Sequence, residues 1–388
     1  MNRMKRISNV IKIFIVIIVL LVLGLYITDN EYVLRGARVV YLTGHQSAFI
    51  DDHPYFSNEK VNNSDQVQNW PTANLTNEIT STARLDSIND KMNTIAFLII
   101  KNDSIVYENY KDDYSADSQT NSFSMAKSIT SSLLFKAIDE GYIKSLDQPI
   151  TDFYPDFKGA FANECTVGDL ASMASGLNWV EDYYSPFAIT AKAYYDDNIT
   201  QLMKTCKITT KPGLSYKYLS GNTELLAMII QQAVEMPLAD YLSQSLWQPL
   251  GMRNDASWQV DSEKNGMVKA YCCIGSNARD FAKFGKLYMD EGKWNDKQLI
   301  SKKHAQLAIQ PRFKESPQYG YGFWLTDYKD KQAFAMRGLK GQYVIGIPEE
   351  DMIIVRLGKG RNRDKVNHFP TDFYVYYDEA LKMVDTEY

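Results

Sequence analysis

The longest apolar block stands at the start of the chain. In "MNRMKRISNVIKIFIVIIVLLVLGLYITDN", Arg3, Lys5, Arg6 and Lys12 precede an apolar run from Ile13 to Ile27. With Val10 and Ile11 counted and Lys12 snorkelling, the run approaches the ~20 residues that a bilayer requires. The preceding positive charges predict a cytoplasmic segment over 1–9 and a transmembrane signal anchor over 10–28, with everything after it outside. A cleaved signal peptide is the competing reading. Against it, no small-x-small site follows Leu25, and the run is longer than a usual signal core.

Residues 29–75 are polar and rich in Asn, Asp and Gln, with one strand-like run in "ARVVYLTG". They read as a stalk and an N-terminal extension lying on a domain that occupies 76–388. In "NTIAFLIIKNDSIVYENYK" two β-rich runs, Thr94 to Ile100 and Ser104 to Tyr110, flank Lys101-Asn102-Asp103, a hairpin signal. The stretch "SFSMAKSITSSLLFKAIDEG" places Ile129, Leu133, Leu134, Ala137 and Ile138 at helical spacing, and Gly141 stands where a C-terminal cap belongs. Helical patterning dominates from about Thr151 to Val260. β-character returns in "YGYGFWL", "QAFAMRGLKGQYVIGI" and "MIIVRLG", and a last helix lies near "YVYYDEALKMV". Two strands, a helix-rich insertion, three strands and a helix predict an α/β (α+β) domain with one mixed sheet completed from both ends of the chain.

Composition narrows the function. A formal charge of −5 offers no basic footprint for nucleic acid. The four cysteines (Cys165, Cys206, Cys272, Cys273) have no C-x-x-C spacing and give no zinc signature; they read as buried small hydrophobes, with room for one disulfide in an exported domain. His45, His53, His304 and His368 lie in no motif, and no G-x-S-x-G elbow occurs, so a Ser-His-Asp triad and a histidine-bound metal are both disfavoured. No cofactor is implied.

A hydrolase built from this sequence would need lysine as its base. Ser124 and Lys127 stand three apart at the start of the predicted helix, where i and i+3 share a face and free N–H groups favour a developing oxyanion. Burial under a second domain would favour the uncharged amine. Spacing alone proves nothing: Ser57 and Lys60 share it, in a stretch with no periodic apolar residues to hold them together. The bland alternative is a capping serine beside a solvent-facing lysine. A second candidate is "KPGLSYKYLSGNTELLAMII", which sets Tyr218, Ser220 and Asn222 just ahead of an apolar helix; Tyr218 could relay protons or simply pack, in a chain with 26 tyrosines. A third is "RGLKGQYVIGI", where Gly338 and Gly341 punctuate a β-run and would let a ligand or backbone approach. A strand edge there could supply one N–H of an oxyanion hole, with Ser124 supplying the other.

In this order the three stretches resemble the serine β-lactamase and penicillin-binding superfamily, most nearly its class C-related esterases and 6-aminohexanoate-dimer hydrolases. Ser124-Met125-Ala126-Lys127 matches S-x-x-K, and Tyr218-Leu219-Ser220-Gly221-Asn222-Thr223 is similar to the tyrosine loop of the nylon-oligomer branch. Gly338-Leu339-Lys340-Gly341-Gln342 stands where other members carry Lys-Thr-Gly. "LDQPITDFYPDF", "MASGLNWVEDYYSP", "LWQPLGM", "ARDFAKFGKLY" and "YGYGFW" extend the likeness over roughly Asn93 to Leu357, and weakly from Tyr32. The resemblance implies a β-lactamase-like fold: a mixed antiparallel sheet flanked by helices, plus a helix-rich subdomain. It further implies Ser124 as nucleophile, Lys127 as base, Tyr218 as relay, the N–H groups of Ser124 and Leu339 as oxyanion hole beside Gly338, and Ser220 as a supporting donor. Trp179, Tyr183 and Tyr184 would line the substrate cleft or else belong to the core.

Two departures from the family pattern favour an esterase or amidase over a β-lactamase. Tyr-Leu-Ser replaces Tyr-x-Asn, and Met336-Arg337-Gly338 replaces Lys-Thr-Gly, leaving Arg337 or Lys340 to take the missing lysine's place. The expectation is a single-pass protein of the cytoplasmic membrane whose periplasmic or extracellular domain acts on a small ester, amide or peptide-like substrate. A D-alanyl-D-alanine-type peptidase and a catalytically silent binding protein are the alternatives.

Overall fold

The computed structural model describes residues 2–73 and 79–385. The expected boundary between extension and domain, at 75/76, lies outside the described residues.

A helix, α1 (Asn2–Ile27), carries the apolar block; its stretch Met4–Ile27 is long and apolar enough to cross a bilayer, and none of that stretch is buried. After four residues comes α2 (Tyr32–Val40), so the strand-like "ARVV" is helical. Its β-branched pair, Val39 and Val40, is buried, and packing overrides local β-preference. A Cβ on Gly36 would lie 3.2 Å from Tyr195 Cδ2, which shows how closely α2 approaches the later helix Ile189–Tyr195.

The hairpin signal is realised as β2 (Thr94–Lys101) and β3 (Ser104–Tyr110), following β1 (Asn58–Val61) and α3 (Ala83–Lys91). Asn102 and Asp103, both at positive φ, make the turn between them. After β4 (Thr120–Asn121) comes α4 (Ala126–Asp139), and Gly141 follows it with φ +83°. This helix is buried almost all round rather than on one face. Its hydroxyls are satisfied internally: Thr130 and Ser132 donate to the carbonyls four residues back, of Ala126 and Ser128.

The middle of the chain supplies α5 (Ile189–Tyr195), α6 (Ser220–Val234), α7 (Ala278–Met289) and the short strands β5 (Ala256–Gln259) and β6 (Ile274–Ser276). These strands join a four-stranded sheet in the order β1-β5-β6-β4. The C-terminal part gives the main sheet four strands rather than three: β7 (Trp324–Thr326), β8 (Ala333–Gly338), β9 (Gln342–Ile347) and β10 (Met352–Gly358). "QAFAMRGLKGQYVIGI" is itself a hairpin, turned at Leu339–Gly341. The main sheet runs β3-β2-β10-β9-β8-β7, completed from both ends of the chain, and every pairing in it is antiparallel. One apolar cluster lies between this sheet and the helices around α4. A second lies on the opposite face, under α3 and α8 (Thr371–Asp385).

Candidate active site

Ser124 lies in the tight turn Phe123–Met125 that leads into α4. Phe123 is held at φ +45°, a conformation costly for a bulky residue. Its N–H donates to Asn121 Oδ1 (2.8 Å), and Asn121 Nδ2 donates to Asp52 Oδ1 (2.9 Å). Asp52, fully buried, also accepts from Gln259 Nε2 (2.9 Å) and from the Tyr194 hydroxyl (2.6 Å); burial raises its pKa. A residue of the N-terminal extension thus braces the turn that presents the serine. Sequence reasoning missed it, because nothing local marks Asp52.

One turn along the same face, Lys127 is 1% exposed. Its Nζ donates to Ser124 Oγ at 3.0 Å and to the main-chain oxygen of Tyr271 at 2.7 Å. The ring of Tyr218 is centred 5.0 Å from the same nitrogen. Tyr218 is itself held against Trp324 (centroids 5.5 Å apart) and edge-on to Tyr319 (6.1 Å). The structure therefore brings Ser124, Lys127 and Tyr218 together. Ser57 and Lys60 form no such pair, since Lys60 is paired with Asp255 at 2.9 Å.

The end of β8 closes the other side. Gly338 and Leu339 line the same cavity as Ser124. A Cβ on Gly338 would sit 2.2 Å from the Ser122 oxygen, so glycine allows the strand and the turn that carries Ser124 to touch. Arg337 faces this cavity, its guanidinium 3.4 Å from the Trp324 ring centre and its Nη1 donating to the His368 oxygen (2.9 Å). Burial holds the guanidinium down, to about 10. Arg361 and Lys365 line the cavity as well, whereas Lys340 does not.

Ser220 opens α6 and turns towards Glu181: its N–H donates to Oε2 (2.7 Å) and its hydroxyl to Oε1 (2.6 Å), which also accepts from the Tyr183 hydroxyl. Glu181 ties the aromatic loop to the tyrosine loop, a role that only its position in "NWVEDYY" could have hinted at. Tyr183 and Tyr184 line the cavity. Trp179 does not: it is 1% exposed and lies where a Cβ on Gly221 would come within 2.5 Å of its ring. Of the three aromatics read as cleft residues, Trp179 is core, because the start of α6 packs directly on it.

The cavity is about 590 Å³, the size of a small-molecule site. Beside it, Cys272 and Cys273 are joined in a vicinal disulfide, with Cys272 on the lining, while Cys165 and Cys206 are free and buried. Among the described residues no group of three His, Cys, Asp or Glu side chains is arranged to hold a metal.

A buried lysine on a serine hydroxyl at a helix start, closed by a glycine-ended strand of an antiparallel sheet, defines the class: a β-lactamase-like serine hydrolase. The beta-lactamase family model matches residues 82–373, and the chain belongs to that family. Among curated proteins it is similar to the 6-aminohexanoate-dimer hydrolase of Paenarthrobacter ureafaciens, 23% identical over 294 residues, covering 70% of this chain and 74% of that one. Protein flp of Staphylococcus aureus (strain N315) is 25% identical over 156 residues, which span 39% of this chain and 31% of that protein. A Bacillus anthracis structure assigned as a 6-aminohexanoate-dimer hydrolase superposes with a TM-score of 0.73, 22% identity, and coverage of 91% of this chain and 94% of that one. The D-amino acid amidase of Ochrobactrum anthropi, in complex with L-phenylalanine amide, superposes at 0.60, with 18% identity and coverage of 81% and 99%.

Proposed function

We propose that the protein is a membrane-anchored serine hydrolase that cleaves an ester or amide through an acyl-enzyme on Ser124. The observation that carries this reading is the 3.0 Å bond from the buried Lys127 amine to Ser124 Oγ. Lys127 takes the hydroxyl proton as Oγ attacks the substrate carbonyl carbon. The oxyanion forms against the backbone N–H groups of Ser124 and Leu339. As the carbonyl re-forms, the bond to the leaving alcohol or amine breaks, and that group receives a proton by way of Tyr218. Water then attacks the acyl carbon, its proton passes to the lysine–tyrosine pair, and that pair returns a proton to Ser124 Oγ as the acyl C–Oγ bond breaks and the acid product leaves.

An amidase and a 6-aminohexanoate-dimer hydrolase among the relatives support an amide or ester of modest size, as does the cavity volume. Arg337, Arg361 and Lys365 along one wall favour a carboxylate or phosphate on the substrate. The anchor reading rests on the exposed apolar helix Met4–Ile27 and the basic residues around its start. In this reading α1 spans the cytoplasmic membrane and holds the catalytic domain outside it.

The test is labelling of the full chain in detergent with a fluorophosphonate, the adduct being located by peptide mass. Modification at Ser124, lost in Ser124→Ala, is expected; a folded protein that takes no label there contradicts the reading.

A further inference from the structure

The catalytic cavity is not built by the hydrolase domain alone. Tyr32, Val33, Gly36, Ala37, Val40 and Tyr41, all on or ending α2, line it together with Ser124. Only Thr28–Glu31 separate α2 from the end of α1. That junction is clamped to the domain. Lys192 Nζ donates to the Asp29 oxygen (2.9 Å), pairs with the Asp29 carboxylate, and sits 5.6 Å from the centre of the Tyr32 ring. Arg35 Nη1, one turn along α2, donates to the Asp261 oxygen (3.2 Å). Tyr32, the first residue of α2, is itself on the lining, so the cavity wall begins five residues after the apolar helix ends.

The mouth of the same cavity is apolar and bare. Tyr41 (69% exposed), Tyr183 (55%) and Tyr184 (95%) are on its lining, and Leu42 (82%) and Phe187 (62%) follow lining segments directly. Exposed apolar groups gathered in one place mark an interaction surface. Tyrosines gathered with an exposed leucine and phenylalanine suit the headgroup level of a bilayer. Continuity with α1 through a clamped junction decides which surface that is.

Resting on the hydrolase and anchor readings above, we propose that this rim docks on the outer face of the membrane that α1 spans. The site then takes its ester or amide from an amphiphile embedded in that bilayer. The amphiphile's apolar part stays at the rim while its scissile carbonyl reaches Ser124, and an anionic polar part meets Arg337, Arg361 and Lys365.

The experiment reconstitutes the full chain in vesicles of phosphatidylcholine and phosphatidylglycerol. A fluorophore is attached at Phe187→Cys or, as control, at Lys91→Cys on α3, across the main sheet from α4; the native cysteines are buried or bonded to each other. Quenching by brominated lipid at 187 well above that at 91 is expected. Equal, weak quenching would overturn the proposal and leave the rim as a face for a protein partner, and a chain that does not enter vesicles would overturn it through the anchor. Turnover is the second readout, on a water-soluble acetyl ester and on a long-chain umbelliferyl ester held in the vesicles. Leu42→Asp with Phe187→Asp is expected to leave the first unchanged and to lower the second about tenfold or more. Equal effects on both, or on neither, would contradict the proposal. Absence of turnover on either ester together with an unlabelled Ser124 would instead sink the hydrolase reading, and the lipid quenching would still decide where the rim sits.

Discussion

A β-carbon on Gly338 would lie 2.2 Å from the main-chain oxygen of Ser122. The strand that closes the site and the turn that carries Ser124 are therefore in backbone contact. Gly338 has φ −117°, which any residue adopts, so the demand for glycine is steric. Gly338→Ala is expected to cost about 1–3 kcal/mol by overpacking and to slow acylation by pushing Leu339 away from Ser124. Thermal unfolding and the rate of fluorophosphonate labelling check this. Unchanged values would mean that the two segments yield freely.

Glu181 accepts both the N–H and the hydroxyl of Ser220, and a carboxylate holds such donors more tightly than an amide does. Glu181→Gln is predicted to cost about 1.5–3 kcal/mol. The fall should appear in kcat more than in KM, because Tyr218 two residues away is positioned through this loop. Steady-state kinetics beside a melting curve separate the two effects.

Arg337 has no ion-pair partner among the described residues and faces the cavity against Trp324. Arg337→Gln is expected to raise KM for a carboxylate-bearing ester by about tenfold, in keeping with one lost charge-assisted contact, while a neutral ester of the same size is little affected. Paired kinetics on the two esters make the comparison. Equal effects would show that the arginine only supports the fold.

Much of this site was legible because its chemistry is local. Ser124 and Lys127 share one helical turn, and Tyr218 and Gly338 are marked by the turns around them. What escaped is what depends on distant partners. Asp52 braces the Ser124 turn across a span of residues that no periodicity bridges, and Glu181 meets Ser220 only once the aromatic loop folds over α6. Trp179 was ambiguous because an aromatic in a polar loop looks alike whether it lines a cleft or plugs a core. The "ARVV" segment reads as a strand for a related reason: its valines prefer strands, whereas in the fold they are buried on α2.

Glu224 lies fully buried, with Oε2 accepting from the Ala270 N–H (2.9 Å), and burial pushes its pKa up to about 8. Since the folded value exceeds the unfolded one, the native state binds an extra proton between them. Its contribution to stability is complete below the ordinary carboxylate range and is lost as pH rises to about 8. Comparison of Tm against pH for the wild type and Glu224→Gln isolates this term. The wild type is expected to lose stability relative to the variant across that window, and parallel curves would contradict it.

In the proposed mechanism Lys127 activates Ser124. The most direct measurement is kcat/KM on a soluble acetyl ester for Ser124→Ala and for Lys127→Met, the latter filling the same buried space, with melting curves to confirm folding. Both folded variants are expected to lose about a thousandfold or more, as groups acting as one unit do, and neither is expected to take the fluorophosphonate. A folded Lys127→Met that hydrolyses the ester at a rate near that of the wild type would contradict it.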